Sequence, residues 1–345
     1  MVNLFIPYTP FHLLLSFAIA LSMPGELHYM ILGESSPGNL KVFRLLQEIY
    51  ASAGITAYEM EGTFRKSNLK KFLIKQRNIS RVDTLFKELP AIDHFFYFCD
   101  CHVVTTYSAF LARKRNPGIK FFFVEDGVGS YLSSHRTSKK GVEKIADRLF
   151  FGKWHTDTVV PGSFMDSTGA WALFPDFLPS FFDEKKKFAV SREKLLSEFD
   201  RGLFSLRSGS LPDTARSLVA VDFEHYTETD AYLNAVSSYI RRAEALGGNS
   251  VLKLHPSDRR QHVFYGADGI FTLPSHLPVE LFYLFYGDSL RFVIGGLTTA
   301  LLTAKWLIPE AEVVSIIPQS IVQSVNYARE IFDVFSACGI EVCTL

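Results

Sequence analysis

The stretch Lys120 to Leu132, KFFFVEDGVGSYL, decides the fold. Phe121 to Val124 are apolar on successive residues, the mark of a central parallel strand buried on both faces. The run then meets Glu125-Asp126-Gly127, with Gly129 two residues on. Glycines there permit a tight turn and a close approach of ligand to backbone. Adjacent carboxylates on a strand point to opposite sides, so one can face a cleft while the other holds the turn by accepting backbone N–H groups. A carboxylate in a partly dry cleft has its pKa raised and can serve as a general base. The structural alternative is that both acids cap a surface turn.

Outward from this strand the first half alternates. Segments 3–8, 26–32, 55–60, 94–100 and 119–124 read as strands, and 11–23, 39–53, 64–88 and 104–115 as helices. That alternation predicts a parallel sheet covered by helices on both faces. Between about 155 and 190 the pattern breaks into a Pro-rich, aromatic stretch that reads as a packed inter-domain connection. Alternation then resumes, with strands at 217–223, 250–255, 269–273, 291–296, 312–317 and 340–345 and helices at 229–246, 278–287, 298–307 and 322–338. The expected organisation is α/β: two Rossmann-like, doubly wound domains, 1–155 and 191–345, joined by 156–190 and facing an inter-domain cleft. In such sheets ligands sit at the carboxyl ends of the strands.

The totals agree. A chain of 345 residues fits two domains, and 48% hydrophobic with 21% charged residues describes a packed globular protein. Lys+Arg and Asp+Glu are both 36, so no global field favours nucleic acid. The run Arg65 to Arg81, RKSNLKKFLIKQRNISR, is a local exception, open to reading as a solvated helix face, a membrane-surface contact or an acceptor groove. Cys99, Cys101, Cys338 and Cys343 are expected to be reduced thiols of a cytoplasmic protein. The apolar stretch Phe11 to Met23 falls short of the about 20 residues a membrane span needs, and no Lys or Arg precedes it as in a signal peptide.

Three further constellations carry chemistry. His255-Pro256 ends the strand in VLKLHPSDR, where a histidine can act as an acid or bond a phosphate, or stand as a structural residue. Gly295-Gly296 end another strand and Thr298-Thr299 open the next helix, an anion site or a plain N-cap. Glu280 begins an apolar helix, favouring the dipole or gripping the hydroxyls of a ribose. No Asp-x-Asp occurs, nor a His-x-Glu or Cys-x-x-Cys cluster, so the expectation is no metal and no cofactor.

Glu-Asp-Gly after the last strand of the first domain, His-Pro in the second and a Thr pair opening a later helix resemble, in that order, the bacterial lipooligosaccharide sialyltransferases of glycosyltransferase family 52. The related polysialyltransferases share the first two elements. PYTPFHLLLSFAIALSMPGELHYMIL resembles the family's opening, IADRLFFGKW (145–154) its segment after the acidic motif, and 311–345 its tail. The resemblance implies a GT-B fold and an inverting, metal-independent transfer of sialic acid from CMP-sialic acid to a terminal galactoside of a bacterial surface glycan. His255 and Pro256, Glu280, Gly296, Thr298 and Thr299 would hold the donor. Among the catalytic candidates Glu125, Asp126, Asp230 and His255, the base is Glu125 by likeness to the polysialyltransferases and Asp230 by likeness to the lipooligosaccharide members. The partners implied are a CMP-sugar donor and a glycan acceptor; a homodimer and peripheral contact with the inner membrane's cytoplasmic face are admitted. The alternatives are a polysialyltransferase, a relative using UDP-hexose or CMP-Kdo, and a catalytically silent glycan-binding protein.

Overall fold

The computed structural model describes residues 1–33, 37–63, 66–100, 102–133, 151–152, 154, 162, 166–199, 215–221, 229–255, 264, 269–274, 277–325 and 327–345. It divides into two compact units, Met1–Ser197 and Glu198–Leu345.

In the first unit the order is β1 (Val2–Ile6), α1 (Pro10–Leu21), β2 (Leu27–Leu32), α2 (Pro37–Ser52), β3 (Ile55–Glu59), α3 (Asn68–Glu88), β4 (His94–Tyr97), α4 (Val103–Arg115), β5 (Lys120–Val124), β6 (Ser167–Ala172), β7 (Lys186–Ala189) and α5 (Arg192–Glu198). Its strands pair in parallel in the order β3-β2-β1-β4-β5-β6-β7. The run KFFFV lies inside this sheet. Its pairing stacks Phe5, Phe96 and Phe122 across β1, β4 and β5, with ring centroids 4.4 and 5.2 Å apart. On the other face Phe123 stacks on Phe182 at 5.4 Å. A Cβ on Gly162 would come within 2.8 Å of that Phe182 ring, and its φ of +79° is one only glycine adopts freely.

The segment 156–190, read from sequence as a connection, differs: its described part supplies β6 and β7 to this sheet. STGAWA is too rich in small residues to read as a strand. Gly169 has the Lys186 carbonyl 2.6 Å from where a Cβ would stand, so close strand packing selects against β-formers there.

The second unit runs β8 (Ala215–Val221), α6 (Asp230–Ala245), β9 (Asn249–Leu254), β10 (Ile270–Thr272), α7 (Val279–Tyr286), β11 (Phe292–Gly295), α8 (Thr299–Leu307), β12 (Glu312–Ile317), α9 (Gln319–Ser324), α10 (Ala328–Ala337) and β13 (Glu341–Thr344). The parallel order is β10-β9-β8-β11-β12-β13. Tyr232, Val236, Ile240 and Ala243 form one stripe of α6 and pack on Val219, Leu252, Ile294 and Val314 of the sheet. The helix expected over 322–338 is two helices, α9 and α10, because Val325 takes extended backbone between them.

In each sheet the order reverses once, between β1 and β4 and between β8 and β11. The crevice outside the carboxyl ends of those strands is where doubly wound sheets bind ligands. No described helix is long and apolar enough to cross a membrane. Among the described residues no disulfide joins Cys99, Cys338 and Cys343, and Cys101 lies outside the described residues.

Candidate active site

The Glu125-Asp126 pair divides its labour. The backbone N–H of Glu125 donates to the Trp171 carbonyl at 3.0 Å, extending the β5–β6 ladder by one residue. Its side chain is fully buried. Oε2 accepts from the Tyr131 hydroxyl at 2.6 Å and from the Leu173 N–H at 2.8 Å. Glu125 thus ties the ends of β5 and β6 together through Tyr131 of the 3-10 turn Val128–Tyr131. Oε1 has no hydrogen-bond partner among the described residues. Burial pushes the carboxyl up to about 7, against the two hydrogen bonds, which favour its charged form.

Asp126 faces outward, its side chain 40% exposed. Gly127, at φ +89°, reverses the chain behind it, and the Asp126 N–H donates to the Ser130 Oγ at 2.7 Å. Its Oδ1 lies 2.5 Å from Nε2 of His12, on the first turn of α1. The sequence reading passed over His12 as one polar residue in an apolar helix. Its side chain is 2% exposed, and it stacks on Phe98 at 4.2 Å. Nδ1 accepts the Tyr8 N–H at 3.2 Å, while the His12 N–H donates to the N-cap Thr9 Oγ1. The segment Thr9-Pro10-Phe11-His12 thus carries half of a capping box, the Thr9 hydroxyl accepting the His12 N–H, while the histidine ring reaches back one residue further, to the N–H of Tyr8. A Ser/Thr with histidine three residues on, before an apolar helix, was the available signal.

In the second unit, the turn Gly295 to Thr299 follows β11, at the reversal of strand order. A Cβ on Gly295 would meet Thr298 Cγ2 at 3.0 Å and the Ala220 carbonyl at 3.1 Å, so glycine lets the turn settle onto β8. Gly296 is buried, and its carbonyl accepts from the Ser315 Oγ at 3.0 Å. Thr298 is the N-cap of α8 and accepts the Ala300 N–H at 3.3 Å; Thr299 is the first helical residue, half-buried. Hydroxyls at a helix N-terminus suit an anion. The Tyr283 hydroxyl of α7 donates to the Ala300 carbonyl at 3.2 Å, fixing α7 against α8.

Glu280, in the first turn of α7, is buried, and burial raises its pKa while its own N–H and the charge of Lys253 act the other way. Lys253 on β9 is buried too, its ammonium donating to the Pro274 carbonyl at 3.5 Å. Burial pulls it down to about 8, with Glu280 opposing. For both groups desolvation outweighs their attraction. His255 stands exposed just past β9, two residues beyond Lys253. Pro256 lies outside the described residues, as do most of 145–154 and 222–228. Asp230 is exposed at the first position of α6, behind the N-cap Thr229, where a carboxylate also serves the helix dipole. The structure thus places Glu125 and Asp126 together at the end of β5, and Thr298 and Thr299 together at the start of α8, with Glu280 on the adjoining α7. Among the described residues no three His, Cys, Asp or Glu side chains are grouped to hold a metal ion.

This architecture has solved counterparts. UDP-GlcNAc 2-epimerase from Neisseria meningitidis, solved bound to UDP-GlcNAc, superposes at a TM-score of 0.52 with 12% identity over 97% of this chain and 91% of its own. The glycotransferase of kitacinnamycin matches at 0.51 with 12% identity over 100% of this chain and 86% of its own. A UDP-glucosyltransferase from Polygonum tinctorium matches at 0.51 with 9% identity over 99% and 84%. The fold is GT-B. No protein-family model matches the chain, and no curated protein matches it in sequence. At such identities the likeness concerns the fold.

Proposed function

We propose that the protein is an inverting, metal-independent glycosyltransferase that moves sialic acid from CMP-sialic acid to a terminal galactoside of a bacterial surface glycan. The observation that carries this reading is the second unit's carboxyl edge. There the Gly295–Thr299 turn opens α8 at the reversal of the sheet, beside the buried Glu280 and Lys253. Thr298, Thr299 and the helix N-terminus would take the phosphate. Glu280 would take the ribose hydroxyls and His255, with Pro256 fixing its direction, would steady the phosphate as it leaves. A carboxylate takes the acceptor proton. The exposed placement of Asp126 and Asp230 suits that task, and the buried Glu125 suits the fold.

A second reading keeps the site and changes the donor. The similar structures include enzymes named for UDP-GlcNAc and UDP-glucose chemistry, which favours a UDP-sugar as the alternative. Thermal-shift titration with CMP and UDP decides between them. It is followed by CMP release from CMP-sialic acid in EDTA, with and without lactose. Stabilisation by CMP and lactose-stimulated release support the sialyl reading. Stabilisation by UDP alone moves the donor to a UDP-sugar, and no stabilisation by either removes the transferase reading.

A further inference from the structure

The two bonds on the His12 ring fix its tautomer. Nδ1 receives the Tyr8 N–H, so it carries a lone pair; in a neutral imidazole the proton must then sit on Nε2. That nitrogen faces Asp126 Oδ1 at 2.5 Å, so His12 donates and the carboxylate accepts. The ring has no lone pair left to take a proton from a substrate. Buried on Phe98 and accepting the Tyr8 N–H, the ring cannot swing away without giving up both contacts. Asp126 Oδ2 has no hydrogen-bond partner among the described residues, and the side chain reaches solvent. One oxygen is clamped and the other presented.

We infer that Asp126 is the acceptor-side base and that His12 is its positioning residue, an assignment that rests on the transfer reading above. The acceptor hydroxyl gives its proton to Asp126 Oδ2. The oxygen forms the bond to the anomeric carbon of the donor sugar as that carbon's bond to phosphate breaks. The electron pair of the broken bond leaves with the nucleotide. The clamp holds one lone-pair direction of Oδ2 toward the hydroxyl, which matters because a general base works at hydrogen-bond range.

The test separates clamping from mere helix capping. His12→Gln carries an amide oxygen and an N–H₂ spaced like the two ring nitrogens, so it keeps both the cap and the donor. His12→Glu keeps the cap acceptor but faces Asp126 with a second carboxylate. The inference expects His12→Gln to retain transfer to lactose within about tenfold. His12→Glu and Asp126→Asn should each lose at least about 100-fold in kcat, with nucleotide affinity unchanged. If the Gln and Glu variants behave alike while both fold, His12 is only a cap and the clamp is overturned. If Asp126→Asn keeps its rate while Glu125→Gln or Asp230→Asn loses it, the base lies elsewhere. A wild-type protein that shifts with neither CMP nor UDP instead takes down the transfer reading, and this assignment with it.

Discussion

Asp126 and His12 lie 114 positions apart in the chain and 2.5 Å apart in space, joined by a hydrogen bond whose direction is set by the Tyr8 backbone. Glu125, one residue away, points inward and binds Tyr131 and Leu173 instead. One turn thus carries a structural acid and a presented acid. Replacing either acid should give a different phenotype.

Glu125 should make the protein less stable as pH rises. Its pKa is raised from 4.5 to about 7 in the folded chain. Between those values the native state holds a proton that the unfolded chain has lost, so unfolding free energy falls with increasing pH. The loss is on the order of 3 kcal/mol at 1.36 kcal/mol per unit. Urea titrations at pH 5 and pH 8 should show it, and Glu125→Gln should flatten it. A slope that survives in the variant would assign it to another group.

Lys253 gives the opposite sign in a different window. Its pKa is lowered from 10.5 to about 8, so between these values the unfolded chain binds the extra proton and stability rises with pH. Lys253→Met, which keeps the apolar stem and drops the charge, should abolish the rise between pH 8 and 10. Equal slopes in the two proteins would show that the ammonium reaches water.

His255 is exposed past the end of β9. His255→Ala should therefore leave the melting temperature within a degree or so, since surface changes rarely exceed about 0.5 kcal/mol. Turnover should fall roughly 10²–10³-fold if the ring steadies the leaving phosphate. Near-normal turnover would withdraw His255 from the site.

Thr298 and Thr299 should separate cap from ligand. Thr298→Ala removes the bond to the Ala300 N–H and should cost about 1 kcal/mol in urea unfolding. Thr299→Val leaves that cap intact and should weaken nucleotide binding with little loss of stability. Weaker nucleotide binding from Thr298→Ala alone would confine the phosphate role to the cap residue.

Much of this was legible in the sequence, for physical reasons. Strands buried on both faces, such as Phe121 to Val124, must be apolar without interruption, and that leaves a plain mark. β6 and β7 left none, because Gly169 and its small neighbours serve contact with the Lys186 backbone rather than side-chain burial. The break between α9 and α10 has neither Gly nor Pro at Val325 to announce it. At the site, the acids, His255 and the Thr pair stood at strand ends and helix starts where local pattern points. His12 did not, since its partner lies on a distant strand and its own segment reads as core. Which acid turns inward was equally hidden: it depends on Tyr131 and Leu173, neither of which is chemically conspicuous.

The place of β1 has a consequence for how the chain is made. Val2–Ile6 is synthesised before both of its neighbours, yet it sits mid-sheet, paired with β2 on one side and with His94–Tyr97 on the other. Until β4 has been synthesised, one edge of a strand of buried residues stays open, as does the aromatic surface of Phe5 that Phe96 later covers. An open apolar edge is a template for pairing with the wrong chain. The nascent protein is thus most vulnerable between β3 and β4, and a fragment ending near residue 90 should aggregate where one carrying β5, β6 and β7 stays in solution.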